Sequence, residues 1–182
     1  MILKLKNVRL SFPDLYVPKA FKDGEPKFGA TFLVPKTSAL HKEIEKAILD
    51  AATVKFGAKA AKIIEGIRSN PNKFCYQDGD TKEYDGYEGC MALRAKRDSR
   101  PLIVDADKNP LTQADGKPYA GCYVNATVEI FAYTNSGNGI SAQLRGVQFV
   151  KDGDSFGAGT PVSEDEFDMA DGSDGDNEGD LA

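Results

Sequence analysis

Residues 122–133 read Cys122-Tyr-Val-Asn-Ala-Thr-Val-Glu-Ile-Phe-Ala-Tyr133, and this stretch decides the expected fold. Small apolar residues occupy every second position, which is the period of a β-strand with one face toward a core. These apolar positions are Cys122, Val124, Ala126, Val128, Ile130 and Ala132. The opposite face carries Tyr123, Asn125, Thr127, Glu129, Phe131 and Tyr133. The small apolar face is suited to the interior of a narrow β-barrel.

The neighbouring segments add further strands. Residues 140–150 also alternate, and the five residues Asn135-Ser-Gly-Asn-Gly139 before them predict a hairpin. Other strands are predicted at 3–12, 27–34, 89–98 and 101–105, with a long loop over 13–26.

One helical insertion is predicted at 37–68, where apolar residues at fourfold spacing form a single stripe. The stripe consists of Leu40, Ile44, Ile48 and Ala52. Thr37 or Ser38 can cap this helix, and Gly57 interrupts it. Because helices do not alternate with strands, the sequence favours a mainly β (α+β) Greek-key barrel with inserted helices over a βαβ sheet.

The charge of the chain divides sharply near residue 152. Residues 1–151 hold all 23 Lys and Arg residues but only 17 of the 28 Asp and Glu residues, a surplus of +6. Residues 152–182 hold the other eleven acidic residues and have little to bury. We therefore expect one domain over 1–151 and a disordered acidic C-terminal tail over 152–182. A positive body with a negative tail suggests that the body binds a polyanion and that the tail competes for the same surface.

Signals for catalysis and for metal binding are weak. The single histidine, His41, has no second histidine four residues later, and no Gly-rich stretch ends in Gly-Lys-Ser/Thr. Asp105-Ala-Asp-Lys-Asn109 begins like a calcium loop, but Pro110 stands where that loop needs glycine. We therefore expect a protein that is not an enzyme and that uses neither a cofactor nor a metal ion.

The cysteines and the hydropathy indicate a cytoplasmic protein. Cys75, Cys90 and Cys122 lack CxxC spacing, which favours reduced thiols over a disulfide or a metal site. No apolar run approaches the roughly 20 residues that span a bilayer, so no membrane contact is expected.

Four cations lie within Arg94-Ala-Lys-Arg-Asp-Ser-Arg100 at the end of a predicted strand. Strand alternation places Arg94 and Lys96 on one face and Arg97 on the other, and a turn near residue 98 could bring Arg100 beside them. Such a cluster is a candidate for binding phosphate. A solvated strand end has the same composition, and composition alone does not separate the two interpretations.

Three further cations are weaker candidates for binding phosphate, and three rings are candidates for stacking on bases. Lys4 and Lys6 share one face of the first strand and Arg9 lies on the other, although a charged edge strand also prevents unwanted pairing. Rings mixed with polar residues on an outward strand face are suited to base stacking. The alternative is that the helices cover these rings as part of the core. The rings in question are Tyr123, Phe131 and Tyr133.

Three blocks of sequence, taken together with the tail, carry a family resemblance. They are Pro26–Lys36, Gly86–Lys96 followed by Arg100–Asp105, and Gly121–Tyr133 followed by Gly139–Phe149. In order and spacing the chain resembles the phage single-stranded DNA-binding proteins of the small OB-fold type with an acidic C-terminal tail. The resemblance implies a five-stranded OB-fold barrel that coats single strands in phage DNA replication or recombination, in the cytoplasm of the host cell.

The resemblance also implies that the tail contacts replisome or recombination proteins. Tails of this type often end in an aromatic residue, whereas this chain ends Asp180-Leu-Ala182. We therefore expect an internal segment of the tail to bind the partner. That segment consists of Glu164, Asp165, Glu166, Phe167, Asp168 and Met169.

The sequence therefore predicts sequence-tolerant binding of single-stranded DNA, with cations on the phosphates and rings on the bases. The expected DNA-binding residues are Arg94, Lys96, Arg97, Arg100, Tyr123, Phe131, Tyr133, Lys4, Lys6 and Arg9. Two alternatives remain: an acidic protein that imitates DNA to occupy a host DNA-binding protein, and a metal-dependent nuclease. The oligomeric state, including a homodimer, stays open.

Overall fold

The computed structural model describes residues 1–20 and 22–157. Within these residues the body of the protein consists of seven strands and two α-helices. The strands are β1 (Ile2–Lys19), β2 (Lys27–Pro35), β3 (Tyr76–Asp78), β4 (Cys90–Arg97), β5 (Leu102–Val104), β6 (Tyr123–Tyr133) and β7 (Gly139–Lys151). The helices are α1 (Ala39–Phe56) and α2 (Ala60–Ile67), with short 3₁₀ turns at Gly57–Lys59, Gly79–Thr81 and Gln113–Asp115.

Five of the strands close into a barrel in the order β1-β2-β4-β7-β6 and back to β1. All neighbours are antiparallel except β4 and β7, which run parallel where Lys96 lies beside Gln143. This is the Greek-key arrangement of an OB-fold, so the predicted five-stranded barrel with inserted helices is confirmed. The short strands β3 and β5 extend the sheet beside β4 and β7.

Strand β1 takes part in both halves of the barrel because irregularities in its register bend it. Its first part pairs with β6 and its later part with β2. The register shifts between Leu5 and Val8, between Ser11 and Asp14, and between Asp14 and Lys19. Asn7 (φ 52°) and Phe12 (φ 44°) lie within these shifts, in the left-handed region that ordinary residues seldom adopt. Bulges of this kind raise the local twist and let one strand turn a barrel corner.

The barrel interior follows the alternation seen in the sequence. Side chains from all five strands meet there without measurable exposure, including Leu5, Leu10, Phe32, Val34, Leu93, Val128, Ile130 and Leu144. Helix α1 packs Ile44, Ile48 and Ala52 into the same core, as its apolar stripe predicted. The Ser38 side chain caps the helix by accepting from the His41 N–H, and Gly57 (φ 62°) ends it.

One predicted element is wrong. The loop expected over 13–26 is strand in its first half, because β1 continues to Lys19 and pairs there with Lys27 of β2. Leu15 is buried there and stabilises the extension. Pro13 is tolerated because it lies in the bulge, where the ladder of hydrogen bonds is already interrupted.

The three cysteines are free, and burial raises the pKa of the Cys75 thiol to about 12.

Residues 152–157 follow β7 and lie against the barrel, beyond the domain boundary that we expected at residue 151. The prediction of disorder otherwise concerns residues outside the described part of the chain, as does the partner segment 164–169. None of the helices in the described part is long and apolar enough to cross a membrane.

Candidate nucleic-acid interface

One side of the barrel presents two cations in register. We call it the β2–β4 face: the outward side chains of β2 and β4, residues 9–14 of β1, and Tyr84 and Tyr87 of the loop before β4. Arg94 lies opposite Thr31 and Lys96 opposite Gly29, while Ala95 between them points into the core. Position 29 has little room for a side chain, because a Cβ there would lie 3.0 Å from the Ala95 carbonyl oxygen. Lys96 therefore has no side chain directly opposite it on β2.

The β2–β4 face is electropositive around Lys96. Partial burial lowers the pKa of Lys96, and the neighbouring cations Arg94 and Lys27 lower it further. A lysine whose pKa falls beside other cations gains binding energy when a phosphate supplies the missing negative charge. Lys27 itself is paired with Asp98 at 2.6 Å, near the end of β4.

Two exposed rings stand beside these cations. Phe12 and Tyr84 are each 53% exposed, and their ring centroids lie 4.9 Å apart, edge to face. Tyr87 is buried beside them, with its centroid 5.2 Å from that of Tyr84, and its hydroxyl donates to Ser11 Oγ at 3.0 Å. The buried tyrosine therefore fixes the position of the exposed pair. Exposed rings on a fixed base are what base stacking requires.

Phe12 and Tyr84 were not recognised in the sequence. Alternation from the inward Leu10 places Phe12 inside the barrel, and the bulge with its positive φ turns the ring outward instead. The spacing Tyr84-Asp-Gly-Tyr87 was an available signal, since it places two rings on either side of a turn.

Asp14 is an acidic group on the β2–β4 face, opposite Gly29. Partial burial raises the pKa of its carboxyl group, and Lys19 and Arg94 offset part of that rise. When ionised, Asp14 therefore opposes an incoming phosphate on this face.

Arg9 and Tyr123 mark the end of the β2–β4 face, where the chain leaves the barrel. Arg9 donates from Nε to the Gly121 carbonyl (3.1 Å) and from Nη2 to the Asp154 carbonyl (2.8 Å). Its guanidinium lies 4.2 Å from the ring centroid of Phe156 and 5.7 Å from that of Tyr123. The first residues after β7 thus lie on the proposed interface.

The other two cations of the predicted cluster lie elsewhere. Arg97 is on the opposite side of β4 from Arg94 and Lys96, as alternation predicted, and donates to Ser99 Oγ at 2.8 Å. Arg100 contacts β1, with its guanidinium 5.0 Å from the ring centroid of Tyr16. Arg94 and Lys96 therefore share the β2–β4 face, whereas Arg97 lies on the other side of β4 and Arg100 lies against Tyr16.

A second surface, which we call the β6–β7 face, consists of the outward side chains of β7 and of residues 125–133 of β6, with residues 2–6 of β1. Lys4 and Lys6 line a concavity of about 490 Å³ there together with Lys108 and Leu102. Glu129 forms an ion pair with Arg145 at 3.5 Å on the same face.

Phe131 and Tyr133 also belong to the β6–β7 face. Phe131 is 43% exposed, so the interpretation that helices cover it is wrong. Tyr133 is half-buried, packs over Gly139 and donates from its hydroxyl to the Asn72 carbonyl at 3.4 Å. Neither ring lies on the face that carries Arg94 and Lys96.

The described residues contain no group of three His, Cys, Asp or Glu side chains able to hold a metal ion. The site is an arrangement of cations and rings on a strand surface. Such an arrangement can bind a flexible polyanion whose monomers have flat faces.

Known proteins show the same fold and related sequences. The sequence matches the family described as "Enterobacter phage Enc34, ssDNA-binding protein" over residues 1–181. A relative, protein p50 of Acyrthosiphon pisum secondary endosymbiont phage 1, is 51% identical over 171 residues, covering 92% of this chain and 93% of the relative.

Among solved structures, the single-stranded DNA-binding protein from bacteriophage Enc34 in complex with ssDNA has a TM-score of 0.72 and 28% identity, with 86% of this chain and 89% of that chain covered. The protein gp2.5 of bacteriophage T7 shares the fold, with a TM-score of 0.57 and 15% identity over 93% of this chain and 99% of that one. The chain belongs to the Enc34 family of phage single-stranded DNA-binding proteins, which confirms the resemblance carried by its three sequence blocks.

Proposed function

We propose that this protein binds single-stranded DNA without sequence preference and acts in phage DNA replication or recombination, at replicating DNA in the host cytoplasm. The observation that carries the proposal is the β2–β4 face, where exposed rings of Phe12 and Tyr84 share one surface with Arg94 and Lys96. The corresponding strands of OB-folds form the usual surface for oligonucleotides. The family supports the same ligand, since the Enc34 protein has been solved in complex with ssDNA.

The two kinds of side chain contribute differently. Arg94 and Lys96 neutralise phosphates and release condensed counterions, so affinity falls as salt rises. Phe12 and Tyr84 stack on bases, each stacked base contributing about 1–3 kcal/mol, and any base offers a suitable face. A surface with rings and cations but no fixed pattern of donors and acceptors binds strands of any sequence.

The acidic tail modulates this binding and recruits replisome or recombination proteins in our proposal. Eleven acidic residues follow β7, and the described part of that segment runs past Arg9 at the end of the β2–β4 face. The sequence predicts a disordered tail, and a disordered chain of 25 residues would span about 25–30 Å between its ends, comparable to the size of the barrel. Tethering gives an effective concentration in the millimolar range, enough to compete with weak phosphate contacts.

A fluorescence titration tests the proposal directly. We would titrate the full chain and a chain ending after Gly157 with labelled oligo-dT and with a duplex, each at two salt concentrations. The shortened chain retains the described contacts of Phe156 and lacks the remaining acidic residues. We expect single strands to bind preferentially, and the shortened chain to bind several-fold more tightly at low salt than the full chain.

Three outcomes would count against parts of the proposal. Absence of oligo-dT binding by both chains would overturn DNA binding and favour the DNA-mimic alternative. Equal or weaker binding by the shortened chain would overturn competition by the tail. Cleavage of the oligonucleotide in the presence of magnesium would overturn the assignment as a binding protein.

Sedimentation of both chains, with and without oligo-dT, distinguishes a monomer from a homodimer.

A further inference from the structure

The ring of Phe156 occupies a defined slot at the end of the β2–β4 face. It packs on Leu33, Tyr87 and Ala92, a small cluster separate from the main core. The guanidinium of Arg9 lies over it, 4.2 Å from the ring centroid. A Cβ on Gly86 would come within 2.4 Å of the ring, so glycine at that position leaves room for a flat group.

This slot is continuous with the exposed rings. Tyr87, which forms one wall, lies 6.5 Å from Phe12 and 5.2 Å from Tyr84 between ring centroids. The surface therefore holds a row of aromatic positions, two open and one filled by the chain's own side chain. A guanidinium above and an apolar wall below are the contacts that a stacked nucleobase makes in single-strand sites.

The backbone that carries Phe156 is attached by few interactions. Its N–H donates to the Ala120 carbonyl at 3.0 Å, and the Gly157 N–H donates to Asp85 Oδ2 at 3.0 Å. Arg9 holds the segment through the Asp154 carbonyl. Water can replace the first two bonds, and a DNA phosphate can replace the carbonyl on Arg9 with a stronger, charge-assisted partner.

We propose that Phe156 fills a nucleobase subsite, and that a base of the bound strand takes its place. The inference rests on the proposed function and adds to it a third base position, bounded by Arg9, Tyr87 and Gly86. Displacement of Phe156 also moves the start of the acidic segment away from the DNA.

The first test removes the competing ring. The variant F156A is made in the full chain, and L102A, which truncates an exposed leucine outside this face, is the matched control. Binding is measured with an oligo-dT that carries one 2-aminopurine, whose fluorescence falls on stacking. We expect F156A to bind about fivefold or more tightly and to quench the probe further, while L102A matches the unaltered chain. Unchanged or weaker binding by an F156A chain of normal thermal stability would overturn the subsite.

A second variant separates stacking from charge. R9K in the F156A background keeps a cation but has no planar group to cover a base. We expect it to lose most of the increase in affinity and quenching while the dependence on salt stays nearly the same. Full retention of the increase would show that Arg9 does not cover a base, and would overturn the subsite as described.

The third test follows Phe156 in the unaltered chain and uses F156A only to assign its signals. With ¹³C-labelled phenylalanine, the ring signals of Phe156 report its contact with Arg9 and Tyr87, and F156A assigns them. We expect these signals to move to positions typical of an exposed ring when oligo-dT is added. If oligo-dT binds and the Phe156 signals stay in place, the subsite is overturned while the proposed function stands. If oligo-dT does not bind, the proposed function itself fails.

Discussion

The β2–β4 face and the β6–β7 face contain the same kinds of residue but arrange them differently. On the β2–β4 face, two cations adjoin two exposed rings that rest on a buried tyrosine. On the β6–β7 face, the lysines line an apolar concavity, Glu129 neutralises Arg145, and one of the two rings is held against the backbone. The comparison teaches that two faces of similar composition can differ in whether exposed rings adjoin cations, and our assignment of the binding surface rests on that difference.

The largest expected difference between the faces comes from the rings. Replacing both exposed rings of the β2–β4 face, F12A with Y84A, removes two stacking surfaces and should weaken oligo-dT binding about a hundredfold. The matched change on the other face is F131A, which also removes an exposed ring and should alter affinity less than twofold. Fluorescence titration at fixed salt measures both.

Thermal unfolding serves as the control for these ring variants, because an alanine at position 12 must also adopt the positive φ of the bulge. A larger drop in affinity from F131A than from F12A with Y84A would reverse the assignment of the two faces.

The next effect concerns the cations. Replacing Arg94 and Lys96 by alanine should lower affinity about tenfold at low salt and reduce the slope of log affinity against log salt by about 1.4, or 0.7 for each phosphate that is no longer neutralised. The matched pair on the β6–β7 face is K4A with K6A, which should leave the slope nearly unchanged. Titrations at four salt concentrations give both slopes. A flatter slope from the Lys4 and Lys6 pair would place the phosphate path on the β6–β7 face.

The smallest effect concerns Asp14. Its pKa is raised by burial, so it takes up a proton at a higher pH than an ordinary carboxyl group. As the pH falls through that pKa, the β2–β4 face loses a negative charge and should bind oligo-dT more tightly. D14N should bind about twofold more tightly at pH 7 and should not show this rise.

The chain ending after Gly157 is used for the Asp14 comparison, because it removes most of the acidic tail, and oligo-dT is used because thymine does not titrate between pH 4 and 7. An identical pH profile for D14N and the unaltered chain would exclude Asp14 as the titrating group.

Much of the fold could be predicted from local patterns. Alternation identifies β6 and the inward side of β4, and the residue types at Ser38 and Gly57 mark the ends of α1. The error over residues 13–26 has a physical reason. Pro13 and Pro18 favour the end of a strand, but the register shifts of β1 accommodate residues that give no ladder hydrogen bond.

The site was less predictable than the fold for the same reason. Arg94 and Lys96 lie on a regular strand, and alternation placed them correctly relative to Arg97. Phe12 lies in a bulge, where one extra residue reverses the side to which a ring points. Phe156 reaches the interface only through long-range packing on Leu33 and Tyr87, which no local pattern contains.

The parallel contact between β4 and β7 also bears on how copies of the protein behave beside one another. Within residues 1–20 and 22–157, the ends of the sheet are the three-residue strands β3 and β5, because the longer strands are joined in a ring. Long unpaired strand edges allow neighbouring molecules to pair through backbone hydrogen bonds. Neighbouring copies of the protein are therefore not expected to join by pairing strands along these short edges.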